Sequence, residues 1–187
     1  MAKQIWKPGN MLYPLPAVMI TVRDKSGKDN IITIAWTGTV CTNPAMTYIS
    51  VRPERYSYNI LKETGEFVIN LTTKDLCFAT DYCGVVSGRD VDKFAKTGLT
   101  KEEATKVNVS MIKESPVNIE CKVREINEYG SHSMFIADVL CVHADEKYMD
   151  ETGKFDLELA EPICYNHGIY YTLGEKIGKF GYSVKKK

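Results

Sequence analysis

The chain has 187 residues, of which 44% are apolar, and its 24 basic and 24 acidic side chains leave a formal charge of zero. A chain of this length suits one domain whose core needs neither metal nor disulfide support, and residues 1–187 are expected to form it. The balanced charge excludes a global field that would draw the protein to nucleic acid or to a membrane surface.

The opening residues MAKQIWKPGN lack the apolar centre of a signal peptide, and no run approaches the roughly 18 apolar residues of a membrane helix. A cytoplasmic protein is the expectation. Strands are predicted over residues 17–22 and 30–36, joined by a turn that contains Asp24, Ser26 and Gly27. The segment MTYISV follows the Asn43-Pro44 break as a strand, residues 54–64 read as a helix closed by Gly65, and residues 66–71 return as a strand. This stretch sets two arginines, hydroxyl side chains and a helix start between hydrophobic strands. An anion binder and a flat apolar surface can therefore meet on one side, which suits a phosphorylated planar ligand.

Thr73 is placed to cap a helix that runs to about residue 82, with Gly84 as its stop. A short helical turn over residues 90–96 stops at Gly98, and Thr100 with Glu103 has the form of a capping box for a further short helix. From Val117 onward, Val117, Ile119, Cys121 and Val123 alternate with polar residues, which predicts a strand with one buried face. Residues 133–143 return as its hairpin partner, and the pair is assigned to a barrel or sandwich. Lys185, Lys186 and Lys187 read as a solvated tail.

The six cysteines show no CxxC pair or metal-type spacing, and the three histidines are scattered, so no metal site is expected. Reduced, structural thiols are the expectation, with Cys83, in the loop DYCGVVSG, as the one near a candidate site. GxGxxG, GxxxxGKS/T, GxSxG and HExxH are all absent, which argues against a Rossmann domain, a phosphate-loop NTPase, an α/β-hydrolase and a zincin.

Three ordered segments, TIAWTGTVCTNPAMTYISVRPERYSYNILKETGEFVIN, SGRDVDKFAKTGLT and GSHSMFIADV, resemble successive signatures of the flavin reductase-like proteins with an FMN-binding split barrel. The similarity is greatest to the flavoredoxin branch and runs from about Pro14 to Tyr182. It implies a mainly β fold, a six-stranded antiparallel split β-barrel with short peripheral helices. It further implies a homodimer with FMN held noncovalently near the interface, and NAD(P)H or a redox protein as the other reactant. The expected activity is FMN-dependent oxidoreduction. An electron carrier to a partner redox protein and an FMN-binding module without turnover stand as alternatives.

No side chain is expected to be catalytic, since the chemistry belongs to the flavin. Trp36 can cover part of the isoalloxazine or seal the barrel end. Thr33, Ile34, Ala35, Trp36 and Thr37 offer amides and hydroxyls to the pyrimidine carbonyls and ribityl chain, or serve only strand pairing. Asn30 is a ribityl ligand or a turn residue. Arg52 is preferred for the phosphate, with Arg55 second and Ser57 as a hydroxyl donor; the competing role is pairing with carboxylates such as Glu54. By resemblance Lys93 is a flavin contact near N1, in a loop shaped by Ser87, Gly88 and Asp92 and approached by Cys83. Tyr165 is an aromatic neighbour of the flavin or a core residue, and Asn166 and His167 are weaker candidates. His132 occupies a position where related reductases carry Gly-Asp-His, but Ser131 replaces the aspartate.

Overall fold

The computed structural model describes residues 1–184; the lysines of residues 185–187 lie outside the described residues. Strands β1 (Leu15–Pro16), β2 (Val18–Arg23) and β3 (Asp29–Ile34) come first, and β4 (Thr37–Thr42) and β5 (Ala45–Val51) follow. Helix α1 (Tyr56–Thr64), strand β6 (Glu66–Leu71) and helices α2 (Cys77–Val85) and α3 (Lys93–Thr97) occupy the middle. Then come β7 (Lys101–Glu103), β8 (Ser110–Ile112), the long pair β9 (Val117–Tyr129) and β10 (His132–Ala144), and β11 (Ile163–Asn166) with β12 (Ile169–Thr172).

The main sheet runs β3-β2-β6-β9-β10-β5-β4, and every pair in it is antiparallel. Seven segments make six staves, because β3 and β4 are one strand bent at Ala35 and Trp36. β3 pairs with β2 at one end of the sheet, and its continuation β4 pairs with β5 at the other. The Ser50 amide donates to the Trp36 carbonyl at 2.9 Å and carries the ladder across the bend. The sheet thereby closes on itself as the expected six-stranded barrel, which leaves few exposed strand edges.

Ile20, Ile49, Phe67 and Phe135 fill the interior with the buried face of α1. β2 and β3 are also covered outside, where Met19 and Ile31 pack against Leu76, Ala79 and Cys83 of the α2 region and Phe94 of α3. Burial on both faces explains why VMITV is apolar at every position but Thr21, itself buried, rather than alternating. A three-stranded sheet β1-β11-β12 lies beside the barrel.

Helix ends follow local chemistry in most places. Gly65 and Gly98 take left-handed φ values of 66° and 73° and close α1 and α3, and Asp92 caps α3 through the Ala95 amide at 3.2 Å. Two expectations fail. The capping box at Thr100 and Glu103 does not form: residues 101–103 are strand β7, paired with β8, and the Thr100 amide goes to the Glu114 carboxylate at 3.0 and 3.1 Å. A carboxylate fourteen residues away took the donor that the local box needed. α2 begins at Cys77 without a side-chain cap and passes through Gly84 to Val85; Thr73 instead bridges Pro162. Gly84 serves close packing, since a Cβ there would stand 3.2 Å from Thr33 Cβ.

Candidate functional site

A cleft of about 520 Å³ opens where the barrel bends. Its wall is Thr33, Ile34, Ala35 and Trp36, its base includes Ser50, Arg52 and Arg55, and Asp81, Gly84 and Val85 of α2 flank it. Tyr165, Gly168 and Tyr170 close the far end from the β11–β12 hairpin. A second compartment of about 130 Å³ adjoins it, lined by Asn30, Ser57, Cys83, Ser87, Gly88 and Lys93 together with Tyr56 and Arg89. Ile32, Arg55, Gly84 and Val85 belong to both walls. One chamber is wide and partly apolar; the other is small and rich in cations and hydroxyls.

Electrostatics differ between the two. Arg55 is the N-cap of α1 and makes no side-chain cap bond, so the positive end of a nine-residue helix faces the small chamber. Among the described residues its guanidinium has no hydrogen-bond or ion-pair partner. Arg52 is paired with Glu54 at 2.8 Å and lines only the wide chamber, whereas Arg55 borders both. Asn30 Nδ2 donates to Ser57 Oγ at 2.8 Å and fixes that hydroxyl in the wall. The Arg89 guanidinium lies 5.5 Å from the Tyr56 ring centroid.

Lys93 is 4% exposed, and its ammonium donates to the carbonyls of Ile31 and Cys83 at 2.6 and 2.7 Å. Burial pulls its pKa down to about 8, so near neutral pH it still brings a positive charge to the floor of the small chamber. Burial raises the Cys83 thiol to about 11, which leaves it protonated. At the mouth of the wide chamber, the Trp36 and His132 rings lie 4.4 Å apart at 34°. Burial and then the charge of Arg52 lower the His132 pKa, and Ser131 Oγ lies 2.9 Å from its Nδ1.

Of the eighteen residues singled out in the sequence, fourteen line one chamber or the other; Asp92, Asn166 and His167 line neither, and nor does Thr37, whose buried hydroxyl donates to the Tyr48 carbonyl at 2.6 Å. Asp81, which accepts a hydrogen bond from the Tyr170 hydroxyl at 3.2 Å, went unpredicted, as did Tyr170 and Gly168. A local signal for the hairpin exists: His167 and Gly168 adopt φ of 49° and 85°, the two-residue turn that an Asn-His-Gly sequence favours. Away from the cleft, Glu120, Cys141 and His143 bring metal-type ligand atoms within 4.8 Å of one another. The Glu120 carboxylate, however, already accepts from the amides of Thr105, Lys106 and Val107, the Thr105 hydroxyl and His143, so it is occupied as an anchor for that loop.

Comparison with known proteins agrees with this fold. Flavoredoxin of Desulfovibrio vulgaris (Miyazaki F) superimposes with a TM-score of 0.91 at 28% identity, covering 98% of this chain and 100% of that one. Flavoredoxin from Methanosarcina acetivorans gives 0.87 at 29% identity, with the same coverage. An uncharacterized protein of Archaeoglobus fulgidus is 34% identical over 148 residues, 78% of this chain and 80% of its own. The family model described as the flavin reductase like domain matches residues 11–174, and the chain therefore belongs to the flavin reductase-like family.

Proposed function

We propose that the protein is an FMN-binding oxidoreductase of the cytoplasm that moves electrons between a reductant such as NAD(P)H and an acceptor, working as a homodimer. The observation that carries this reading is the joined pair of chambers: a slot beside the flat face of Trp36 that opens into a cation-bearing pocket at the start of α1. The donor set fits the cofactor. Arg55, Ser57, Ser87 and the first amides of α1 suit a phosphate. Between them and Trp36, the backbone of residues 33–36 offers amides and carbonyls to the edge of a planar ring. When bound, FMN accepts a hydride and releases electrons one or two at a time.

The side chains bind and orient rather than react. Lys93 would add a positive charge at the floor of the small chamber, where it would favour an anionic group of the bound cofactor. Trp36, Tyr165 and Tyr170 exclude water from part of the slot, and the other face stays open for the second reactant. Flavoredoxin likeness at 28 and 29% identity supports an electron-transfer role of this kind.

Purified protein should be yellow or should bind added FMN in a calorimeter. Arg55→Ala and Lys93→Ala should each weaken that binding about tenfold or more, the worth of one charge-assisted contact. Unchanged affinity in both variants would remove this site. Anaerobic stopped-flow mixing with NADH and NADPH then separates the activities: rapid bleaching of the flavin supports the enzyme, and a flavin reduced only by a redox protein supports the carrier.

A further inference from the structure

Lys93 is a buried cation without an anion. Its side chain is 4% exposed, and among the described residues the ammonium has no ion-pair partner. Two of its three protons go to the carbonyls of Ile31 on β3 and Cys83 on α2, which leaves one to point elsewhere. Lysines are almost never buried this far unless a counter-charge meets them, because an ammonium taken out of water loses its hydration.

The charged groups on the neighbouring elements supply no such partner. Arg55 and Arg89 line the same chamber, and Lys28 reaches the Gly88 carbonyl at its edge at 3.4 Å. Glu54, the carboxylate of the chamber wall, pairs with Arg52 at 2.8 Å. Asp92 caps α3, and Asp29 of β3 is bonded to Arg23, Lys101 and Ser110. Burial keeps the Cys83 thiol protonated up to about 11. Positive charge is thus in excess around a pocket of about 130 Å³, well below the roughly 300 Å³ at which sites for drug-sized molecules begin. A compact anion fits there, and a tricyclic ring belongs in the wide chamber of about 520 Å³.

We infer that the missing counter-ion is the cofactor's terminal phosphate, held as a dianion by Lys93 and Arg55, and that a proton enters with it whenever the lysine is uncharged. This rests on the FMN-binding reading above, and it sets Lys93 at the phosphate end of the cofactor and not at the ring. A phosphomonoester has its second pKa near about 6, so at neutral pH it arrives mostly as the dianion. Burial holds the lysine at about 8 in the free chain, and an opposite charge within about 4–6 Å raises such a value by roughly 1–3. Because the bound value is the higher one, the phosphate contact is at full strength below pH 8 and is lost as pH rises through the bound value.

Isothermal titration calorimetry of the full chain with FMN, between about pH 6.5 and 9.5 in buffers of unlike ionisation enthalpy, reads affinity and proton uptake together. The dissociation constant should rise about tenfold or more from pH 7 to 9.5, with about half a proton or more taken up per FMN near pH 8.5. Riboflavin, which has the same ring and no phosphate, should bind more weakly, with an affinity that does not change over this range and no proton uptake. Lys93→Met, uncharged and of similar length, should bind FMN at pH 7 about as weakly as the wild type does at pH 9.5, and without pH dependence. The wild-type titrations stand by themselves if that variant does not fold. FMN that binds with constant affinity and no proton uptake overturns the inference and leaves the cofactor reading intact. Riboflavin that follows the same pH profile as FMN also overturns it, since the lysine would then serve the ring. A chain that binds no FMN at any pH removes the cofactor reading and this inference with it.

Discussion

Gly88 shows how tightly the small chamber is drawn. A Cβ there would stand 2.0 Å from Asn30 Oδ1 and 2.9 Å from Tyr56 Cδ1. Gly88→Ala should therefore push Asn30 off Ser57, lower stability by about 1–3 kcal/mol and weaken FMN binding, read by thermal melts and titration. Glu120 makes the opposite point, a buried charge that is fully satisfied. Burial pushes its carboxyl up, but the Thr105 amide, His143 and the Lys106 amide outweigh it and hold the pKa at about 2, against 4.5 in the unfolded chain. Because the folded value is the lower one, the contribution is complete above pH 4.5 and is lost as pH falls toward 2. It amounts to roughly 3 kcal/mol. Glu120→Gln should destabilise the protein by about 2–3 kcal/mol at neutral pH and flatten acid denaturation across that window. An unaltered acid profile would contradict the assignment.

At the scale of elements, the bend at Ala35 and Trp36 decides most. It turns one strand into two, closes the barrel and opens the cleft in the same step. Ser50→Pro removes the amide that bonds the Trp36 carbonyl and leaves that carbonyl unpaired, so the closure should weaken. A loss of about 1–3 kcal/mol is expected, with hydrogen exchange quickening first along β4 and β5. Uniform exchange across all strands would show that the bend is not a separate weak point. Glycine stops and an aspartate cap were legible here because they act within one turn of helix. The false capping box at Thr100 was not, since the decision lay with Glu114 and with pairing to β8, interactions that local spacing does not contain.

For the whole molecule, one barrel interior and one outer layer of helices share β2 and β3, which have both faces buried. Structures that share their central strands melt together. Calorimetry should therefore show a single cooperative transition, as a single domain requires. Its midpoint should rise with protein concentration if two copies associate, since a partner that binds only the folded state stabilises it by mass action. Two resolved transitions would contradict the single domain, and a midpoint independent of concentration would contradict association.

Periodicity and turn residues alone determined the strand-rich class, the long β9–β10 hairpin and the helices closed by Gly65 and Gly98, because those depend on residue alternation and turn chemistry along adjacent segments of chain. The quoted motifs also marked nearly all of the residues around the cleft. Only the tertiary structure decided that Arg55 and not Arg52 faces the small chamber, that the Thr37 hydroxyl is spent on Tyr48, and that Tyr170 of the far end bonds Asp81 of the α2 flank. Each of those outcomes turns on the direction of a side chain after distant strands have closed into a barrel, and a linear pattern carries no record of that closure.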